Sequence, residues 1–161
     1  MAHAMKAGPD ERKIIARNRR ARFEYEVLEE LEAGIALVGP EVKSLRAGKA
    51  SLSDAYAIVR RGEVVLLNLH ISPYEPATRE NPEPRRERKL LLHRAEIARL
   101  SGKVRERGFT LVPLQLYFRS GRAKVELGLV RGKRSHDKRE TIRRREADRE
   151  LARVTRGRGR R

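Results

Sequence analysis

Three neighbouring glutamates, Glu29, Glu30 and Glu32, are the residues whose types and spacing could best support acid–base chemistry. On a strand, Glu30 and Glu32 would share one face, which suits paired carboxylates or a divalent cation. The alternative is a solvated strand face whose carboxylates pair with nearby arginines, and in so basic a chain we favour it. A third role is recognition, because a carboxylate accepts hydrogen bonds from the exocyclic amines of nucleic-acid bases.

The other reactive residue types lack the spacing of a catalytic or metal site. The histidines His3, His70, His93 and His136 are scattered, so we expect no metal and assign His70 and His93 structural roles. Cysteine is absent, which excludes thiolate chemistry, disulfide bridges and cysteine-bound zinc. Neither a glycine-rich phosphate loop nor a nucleophile elbow occurs. We therefore expect no catalytic residue, no cofactor and no enzymatic activity.

The charge of the chain indicates its partner. The formal net charge is +17 over 161 residues, and residues 131–161 hold 14 Lys or Arg against 5 Asp or Glu. Such an excess destabilises a compact state unless a polyanion neutralises it, and nucleic acid is the usual polyanion. A membrane partner would require a basic amphipathic helix or a lipidation signal, and we find neither. The sequence also shows no membrane-spanning run and no signal peptide, so we expect a cytoplasmic protein.

Alternating apolar residues predict a mainly β protein. The strands are predicted at 23–38, 55–59, 64–71, 89–93, 109–118 and 123–130. Short glycine-containing turns join the second strand to the third and the fifth to the sixth, which predicts two hairpins. Glycine inside the first strand favours a bulge at Ala33-Gly34. This pattern predicts an OB-like antiparallel β-barrel with flanking α-helices, a scaffold that often binds RNA.

Helices and a loop are predicted to surround the barrel. Pro40 to Arg46 should form a short helix with proline in its first turn, and residues 94–107 should form an amphipathic helix. Residues 72–88 contain four prolines and predict an exposed loop. Most aromatic residues lie in strand patterns and are expected in the core, with Tyr74 in the proline loop the best candidate for stacking on a base.

The domain organisation follows from these patterns. We expect residues 1–20 to be a flexible basic N-terminal arm, 21–131 to be the RNA-binding barrel and 132–161 to be a basic C-terminal tail. The tail has too few large apolar residues to fold alone, yet glycine and proline are absent from 133–156. It is therefore predicted to be disordered when free and helical when it lies on RNA.

Five stretches together point to a known family. They are Glu32-Ala33-Gly34-Ile35, residues 41–48 (EVKSLRAG), residues 70–74 (HISPY), residues 88–93 (RKLLLH), and Arg131-Gly132-Lys133 with His136-Asp137-Lys138-Arg139. In this order the chain resembles small protein B, the transfer-messenger RNA-binding (SsrA-binding) family of bacteria. The resemblance implies an OB-like barrel that rescues stalled ribosomes by trans-translation.

The resemblance also implies which residues contact RNA. Contacts to the tRNA-like domain of transfer-messenger RNA would fall on Glu32, Leu91, Lys124, Lys43 and Arg46. Contacts to the decoding centre and messenger channel of the ribosome would fall on Gly132, Lys133, His136, Asp137, Lys138 and Arg139. The barrel would stand in for an anticodon arm, while the tail would enter the empty messenger channel and His136 would stack on a base.

The implied partners are transfer-messenger RNA and the ribosome, through 16S rRNA at the decoding centre. Elongation factor Tu and alanyl-tRNA synthetase would be indirect partners through the charged RNA, and the protein would act as a monomer. Two other functions remain open from the residues alone. A structural ribosomal protein would also be small, basic and tailed, and an RNA-processing enzyme could use Glu30 and Glu32 with a divalent metal.

Overall fold

The computed structural model describes residues 11–77, 80–106, 108–133 and 135–158, with the side chains of the last segment described over 142–154. Its strands are β1 (Lys13–Arg17), β2 (Tyr25–Ile35), β3 (Ala50–Ser51), β4 (Tyr56–Arg60), β5 (Glu63–Leu67), β6 (His70–Ile71), β7 (Arg88–Leu91), β8 (Phe109–Arg119) and β9 (Arg122–Gly132). Its α-helices are α1 (Ala21–Glu24), α2 (Gly39–Arg46), α3 (Arg94–Val104) and α4 (Ser135–Arg158), and a 3₁₀ turn spans Glu75–Ala77.

Six of the strands close into a barrel. Their order is β8-β4-β5-β7-β2-β9, and β9 pairs again with β8 to complete the ring. Every pairing between neighbours is antiparallel. Strand β8 can serve three neighbours because its 11 residues meet β9 along their length, β4 at Leu111 and β1 at the other end. The predicted OB-like antiparallel barrel with flanking helices is confirmed.

The core follows from the period-two pattern of the strands. On β9, Val125, Leu127 and Leu129 are buried and face the inside of the barrel. Lys124, Glu126 and Gly128 alternate with them and therefore lie on the outer face. Leu100 of α3 is fully buried in the same core, so α3 packs its apolar face on the barrel, as its sequence predicted. Arg107, where this helix was predicted to end, lies outside the described residues.

Both predicted hairpins are present, and their turns explain their sequences. Arg61 and Gly62 join β4 to β5 with φ of 53° and 73°, and Ser120 and Gly121 join β8 to β9 with φ of 52° and 76°. Two successive residues with positive φ match the right-handed twist of the flanking strands. Glycine adopts the second of these conformations without steric cost.

The irregularity in β2 lies elsewhere than predicted. The register shifts between Val27 and Glu29, which turns Leu28 outward, whereas Ala33 and Gly34 pair regularly with β9. The predicted bulge at Ala33-Gly34 is therefore wrong. Glycine is needed there for another reason, since a Cβ on Gly34 would lie 3.1 Å from the Cβ of Leu91 on the neighbouring strand.

The N-terminal arm is partly ordered. Lys13–Arg17 form β1 and pair with β8, so the predicted flexible arm is wrong for these five residues. The half of β8 beyond β4 offers an open edge, and Ile15 and Ala16 gain burial against the core by covering it. Phe23 also differs from its prediction, because it lies in α1 and not in a strand. Residues 1–10 lie outside the described residues.

A buried ion pair anchors α2 and the proline loop to the barrel. Glu41 and Arg88 are 2% and 1% exposed, and Arg88 Nε donates to Glu41 Oε2 at 2.7 Å. Arg88 also donates to the carbonyl oxygens of Leu69 and Pro84. Burial raises the pKa of Glu41, but hydrogen bonds from Arg86, the Val38 N–H and Arg88 outweigh burial and hold it below its ordinary value. The predicted helix at Pro40 is confirmed by α2. The loop predicted over residues 72–88 is not exposed throughout, because its last residue, Arg88, is buried in the core.

Candidate nucleic-acid interface

A concave surface of about 540 Å³ lies where β7 passes between the β4–β5 hairpin and β2, beside the start of α3. We call it the β2–β7–β9 groove. Its lining includes Glu32, Gly34, Lys89, Leu91, His93 and Lys124. Three of the residues implied to contact the tRNA-like domain, Glu32, Leu91 and Lys124, therefore lie in one groove.

Strand register explains this convergence. Gly34 of β2 pairs with Leu91 on one side and with Lys124 on the other. Glu32 stands two residues before Gly34 and therefore projects from the same outer face. Because Gly34 has no side chain, it leaves the floor between its two neighbours open. The three groups come from three strands, yet they lie within two register positions of each other.

The groove combines three kinds of contact. Leu91 is 53% exposed, so an apolar side chain stands in solvent where a base or sugar could cover it. Lys124 supplies a cation, whereas the other lysine of the lining, Lys89, pairs with Glu63 at 3.0 Å. Glu32 supplies an acceptor of hydrogen bonds. A cation, an acceptor and an apolar contact are what a protein needs for the phosphate, the sugar or base edge, and the base face of RNA.

Two side chains of β8 fix the position of the Glu32 carboxylate. The Tyr117 hydroxyl donates to Glu32 Oε2 at 2.6 Å, and Arg119 Nη1 donates to the same oxygen at 2.8 Å. Burial raises the pKa of Glu32, but these two hydrogen bonds and the charges of Arg119 and Lys124 lower it below its ordinary value. Burial and the Glu32 carboxylate raise the pKa of Tyr117, which therefore remains a donor. Glu32 is thus an ionised, pre-oriented acceptor.

Glutamate–arginine pairing occurs at all three glutamates of the acidic cluster. Glu29 pairs with Arg99, Glu30 pairs with Arg22 at 2.8 Å, and Glu32 pairs with Arg119. The interpretation favoured from the sequence, a strand face whose carboxylates pair with arginines, is therefore confirmed. In the part of the chain that the structure describes, no group of three or more His, Asp or Glu residues is arranged to hold a metal ion.

A second carboxylate adjoins Glu30. Hydrogen bonds with Glu126 and Arg22 hold the pKa of Glu30 below its ordinary value, whereas burial and Glu30 raise the pKa of Glu126. Arg12 Nη1 donates to Glu126 Oε2 at 2.9 Å. No sequence motif pointed to Glu126, which the register of β2 with β9 places diagonally across from Glu30.

Lys43 and Arg46 lie apart from the groove. Both are exposed on α2, and the Lys43 ammonium lies 5.3 Å from the centre of the Tyr74 ring. This cation–π contact covers Tyr74, which the sequence suggested as a stacking platform.

His93 was assigned a structural role, and its backbone does begin α3, where its N–H donates to Glu96. Its side chain, however, is exposed in the groove. The alternating pattern of a strand could not predict this exposure, because His93 lies at the start of α3.

The residues implied to face the ribosome begin where the barrel ends. Gly132 is the last residue of β9 and pairs with Tyr25. The Lys133 N–H donates to the Glu24 carbonyl and its Nζ donates to the Arg22 carbonyl at 2.7 Å, so the start of the tail is fixed to α1. His136, Asp137, Lys138 and Arg139 belong to the first turns of α4, and their side chains lie outside the described residues.

Helix α4 has 24 residues and is about 36 Å long, at about 1.5 Å per residue. The tail is therefore helical over most of its length, and its predicted helical state on RNA stays a prediction. Its disorder in the absence of RNA stays a prediction. Over the described ranges, no helix combines the length and apolarity that crossing a membrane requires.

Comparison with known proteins gives a consistent answer. The family model described as SmpB protein matches residues 15–157. An SsrA-binding protein of Desulforudis audaxviator is 57% identical over 145 residues, which cover 90% of this chain and 95% of the relative. One of Symbiobacterium thermophilum is 62% identical, with 89% of this chain and 92% of the relative covered.

A solved structure agrees with these relatives. It is described as "tmRNA-SmpB: a journey to the center of the bacterial ribosome", and one of its chains is 56% identical to this one with a TM-score of 0.64. The match covers 80% of this chain and 94% of that chain. A family model that spans most of the sequence, relatives above 55% identity and a shared barrel lead to one conclusion: the chain belongs to the SmpB protein family.

Proposed function

We propose that this protein binds transfer-messenger RNA and acts as an adaptor, without catalytic activity of its own, in the rescue of stalled ribosomes by trans-translation. The family and the relatives named for SsrA binding support this function over that of a structural ribosomal protein. The solved tmRNA–SmpB structure supports the ribosome as the place of action. The observation that carries the proposal is the convergence of Glu32, Leu91 and Lys124 in the β2–β7–β9 groove.

The groove binds the tRNA-like domain through three separable contacts. Lys124 neutralises a backbone phosphate and contributes affinity without sequence information. Glu32 accepts a hydrogen bond from a base amine or a ribose hydroxyl, and its fixed orientation avoids an entropic cost on binding. Leu91 covers the face of a base or sugar and leaves water. Lys43 and Arg46 on α2 extend the basic surface beyond the groove and contact phosphates farther along the RNA.

The tail acts on the ribosome. Gly132 and Lys133 set the direction in which α4 leaves the barrel, and the segment from His136 to Arg139 meets 16S rRNA at the decoding centre. The rest of α4 occupies the messenger channel where mRNA is missing. Its basic residues suit a channel lined with phosphates. The barrel thereby takes the position of an anticodon arm that the tRNA-like domain lacks.

Other partners act through the RNA. Elongation factor Tu and alanyl-tRNA synthetase recognise the charged tRNA-like domain, and the protein joins them as a cytoplasmic monomer. Its organisation is a basic arm (1–20) whose strand β1 pairs with β8 of the barrel, the RNA-binding barrel (21–131) and the ribosome-binding tail (132–161).

A competition gel shift tests the RNA specificity. Labelled tRNA-like domain is bound at near-physiological salt and challenged with excess ordinary tRNA. The wild-type protein should retain the tRNA-like domain, and Lys124→Ala should bind it more weakly because a phosphate contact is lost. Lys13→Ala removes an exposed lysine outside the groove and serves as the charge-matched control. Equal displacement by ordinary tRNA would mean that the assay detects only net charge, and the proposed function would fail.

A further inference from the structure

One arginine of the N-terminal arm lies next to the side chains that hold Glu32. Arg12 immediately precedes β1, and its Cζ lies 4.5 Å from the centre of the Tyr117 ring. Its Nη1 donates to Glu126 Oε2 at 2.9 Å. The Tyr117 hydroxyl in turn donates to Glu32, the acceptor of the β2–β7–β9 groove. Arg12 does not line the groove, yet one side chain alone separates it from the Glu32 carboxylate.

Strand register explains how a residue of the arm reaches this position. Ile14 of β1 pairs with Tyr117 of β8, so the two side chains lie on one face of the sheet. Arg12 stands two residues before Ile14, just ahead of the strand, and its contact with the ring shows that it lies on the same face. Long side chains can bridge such a diagonal between antiparallel strands. The position of Arg12 therefore depends on the pairing of β1 with β8.

Tyr117 is buried although it lies on the outer face of the barrel. It pairs with Lys124, which lines the groove, whereas its neighbour Leu116 belongs to the core. Even so, Tyr117 has no exposed surface. Its burial is therefore due to side chains that cross the outer face, and Arg12 is one of them. A hydroxyl shielded from water keeps a stronger hydrogen bond to its acceptor, here Glu32.

Glu126 fixes Arg12 over the ring. The Glu126 side chain is only 7% exposed, so it offers the arginine a carboxylate that is itself held in place. Arg12 is thus bound by a carboxylate and by an aromatic ring, through a charge-assisted hydrogen bond and a cation–π contact. Its guanidinium is already occupied inside the protein, which suits a support better than a contact to phosphate.

We propose that Arg12 is a positioning residue for RNA recognition, which covers the Tyr117 ring and thereby keeps the Tyr117 hydroxyl directed at Glu32 without touching RNA. The arm then contributes to recognition in the groove as well as covering the edge of β8. By linkage, RNA bound to Glu32 stabilises the docked arm as much as the docked arm stabilises bound RNA. The inference rests on the proposed function in one respect, since it takes the groove as the surface that binds the tRNA-like domain.

A double-mutant cycle between Arg12 and Tyr117 tests this inference. The Kd of the full chain for fluorescently labelled tRNA-like domain is measured for wild type, Arg12→Gln, Tyr117→Phe and the double variant. Arg12→Gln should weaken binding by about two- to fivefold, as for the partial loss of one hydrogen bond. In the Tyr117→Phe background the same change should weaken binding clearly less, because the hydroxyl through which Arg12 acts is gone. An equal loss in both backgrounds would show that Arg12 acts by its charge or touches RNA, and would overturn the proposal.

A second measurement uses the free protein. The pKa of Glu32 is followed through its carboxyl carbon in an NMR titration. Uncovering Tyr117 weakens its hydrogen bond to the carboxylate, so the pKa of Glu32 should be higher in Arg12→Gln than in wild type. The rise should be clearly smaller when Arg12→Gln is made in Tyr117→Phe. An unchanged pKa in Arg12→Gln would overturn the positioning role, even if this variant bound RNA more weakly.

Lys13 provides the matched control. It is the next residue of the arm, is exposed and carries the same charge. Lys13→Gln should leave the pKa of Glu32 unchanged, and any loss of affinity should be the same with and without the Tyr117 hydroxyl. If Lys13→Gln reproduced the results of Arg12→Gln, the arm would act through its net charge and the proposal would fail.

The proposed function can fail without this inference. If ordinary tRNA displaced the tRNA-like domain equally from the wild-type protein, the proposed function would be rejected. The response of the Glu32 pKa to Arg12→Gln would still decide whether Arg12 positions Glu32, because that titration contains no RNA.

Discussion

At the scale of single residues, the groove depends on side chains that never touch RNA in the proposed complex. Tyr117 is fully buried and Arg12 lies over its ring at 4.5 Å, so its hydroxyl has one orientation toward Glu32. Arg119 completes the support. A carboxylate fixed in this way is already charged and oriented before RNA binds. Binding therefore costs less free energy for ordering the side chain.

The variant Tyr117→Phe tests this support. Removing the hydroxyl takes away a hydrogen bond that favours the ionised form of Glu32, so the pKa of Glu32 should rise. Affinity for the tRNA-like domain should fall by a few fold, since Arg119 still holds the carboxylate. The pKa is measured by following the Glu32 carboxyl carbon in an NMR titration. Tyr56→Phe, at an exposed tyrosine outside the groove, should leave it unchanged, and an unchanged pKa in Tyr117→Phe would contradict the assignment.

Gly34 is the other residue on which the groove depends. In Gly34→Ala the new methyl would lie 3.1 Å from the Leu91 Cβ, so β7 must shift. Such overpacking should lower the free energy of unfolding by about 1–3 kcal/mol and weaken RNA binding with it. Urea unfolding measures the first effect and gel shift the second. Gly102→Ala is the control, because nothing lies within 4 Å of its Cβ and alanine in a helix should add up to about 1 kcal/mol.

At the scale of elements, the sequence predicted what depends on near neighbours in the chain. Both hairpins, α2 and α3 follow from local patterns and turn residues, and each is present. The bulge at Leu28 and the strand β1 were missed because they depend on β9 and β8, about 100 residues away. Likewise, the resemblance named Glu32, Leu91 and Lys124, but only the register of three strands explains why they form one site.

The ion pair between Glu41 and Arg88 shows the same limit, and it makes a prediction about α2. Glu41→Gln would leave Arg88 buried without its counter-charge, so the free energy of unfolding near pH 7 should drop by about 3–5 kcal/mol. Urea unfolding followed by circular dichroism measures the change. Glu87→Gln breaks an exposed pair with Arg60 and should change the midpoint little.

The same pair sets a pH dependence. The pKa of Glu41 is lower in the folded protein than its ordinary value of 4.5, so its contribution to stability is present above that value. It is lost as the pH falls through the folded-state pKa, when the carboxylate takes up a proton. Wild type should therefore lose stability on acidification below about 4.5 more steeply than Glu41→Gln. Parallel curves for the two proteins would show that Glu41 is not ionised in the folded state.

At the scale of the whole molecule, the barrel and α4 carry two RNA-binding tasks that deletion can separate. Removing residues 135–161 keeps Lys133 and its bonds to α1, so the barrel should fold and still prefer the tRNA-like domain to ordinary tRNA in a gel shift. Total affinity should fall at low salt, because several cations are lost, and the salt dependence should become shallower.

Tag addition on ribosomes stalled at the end of a truncated mRNA should cease in a reconstituted translation system. Removing only residues 159–161 should leave tagging largely intact, since α4 remains complete. Loss of selectivity in the longer deletion would mean that the tail also recognises the tRNA-like domain.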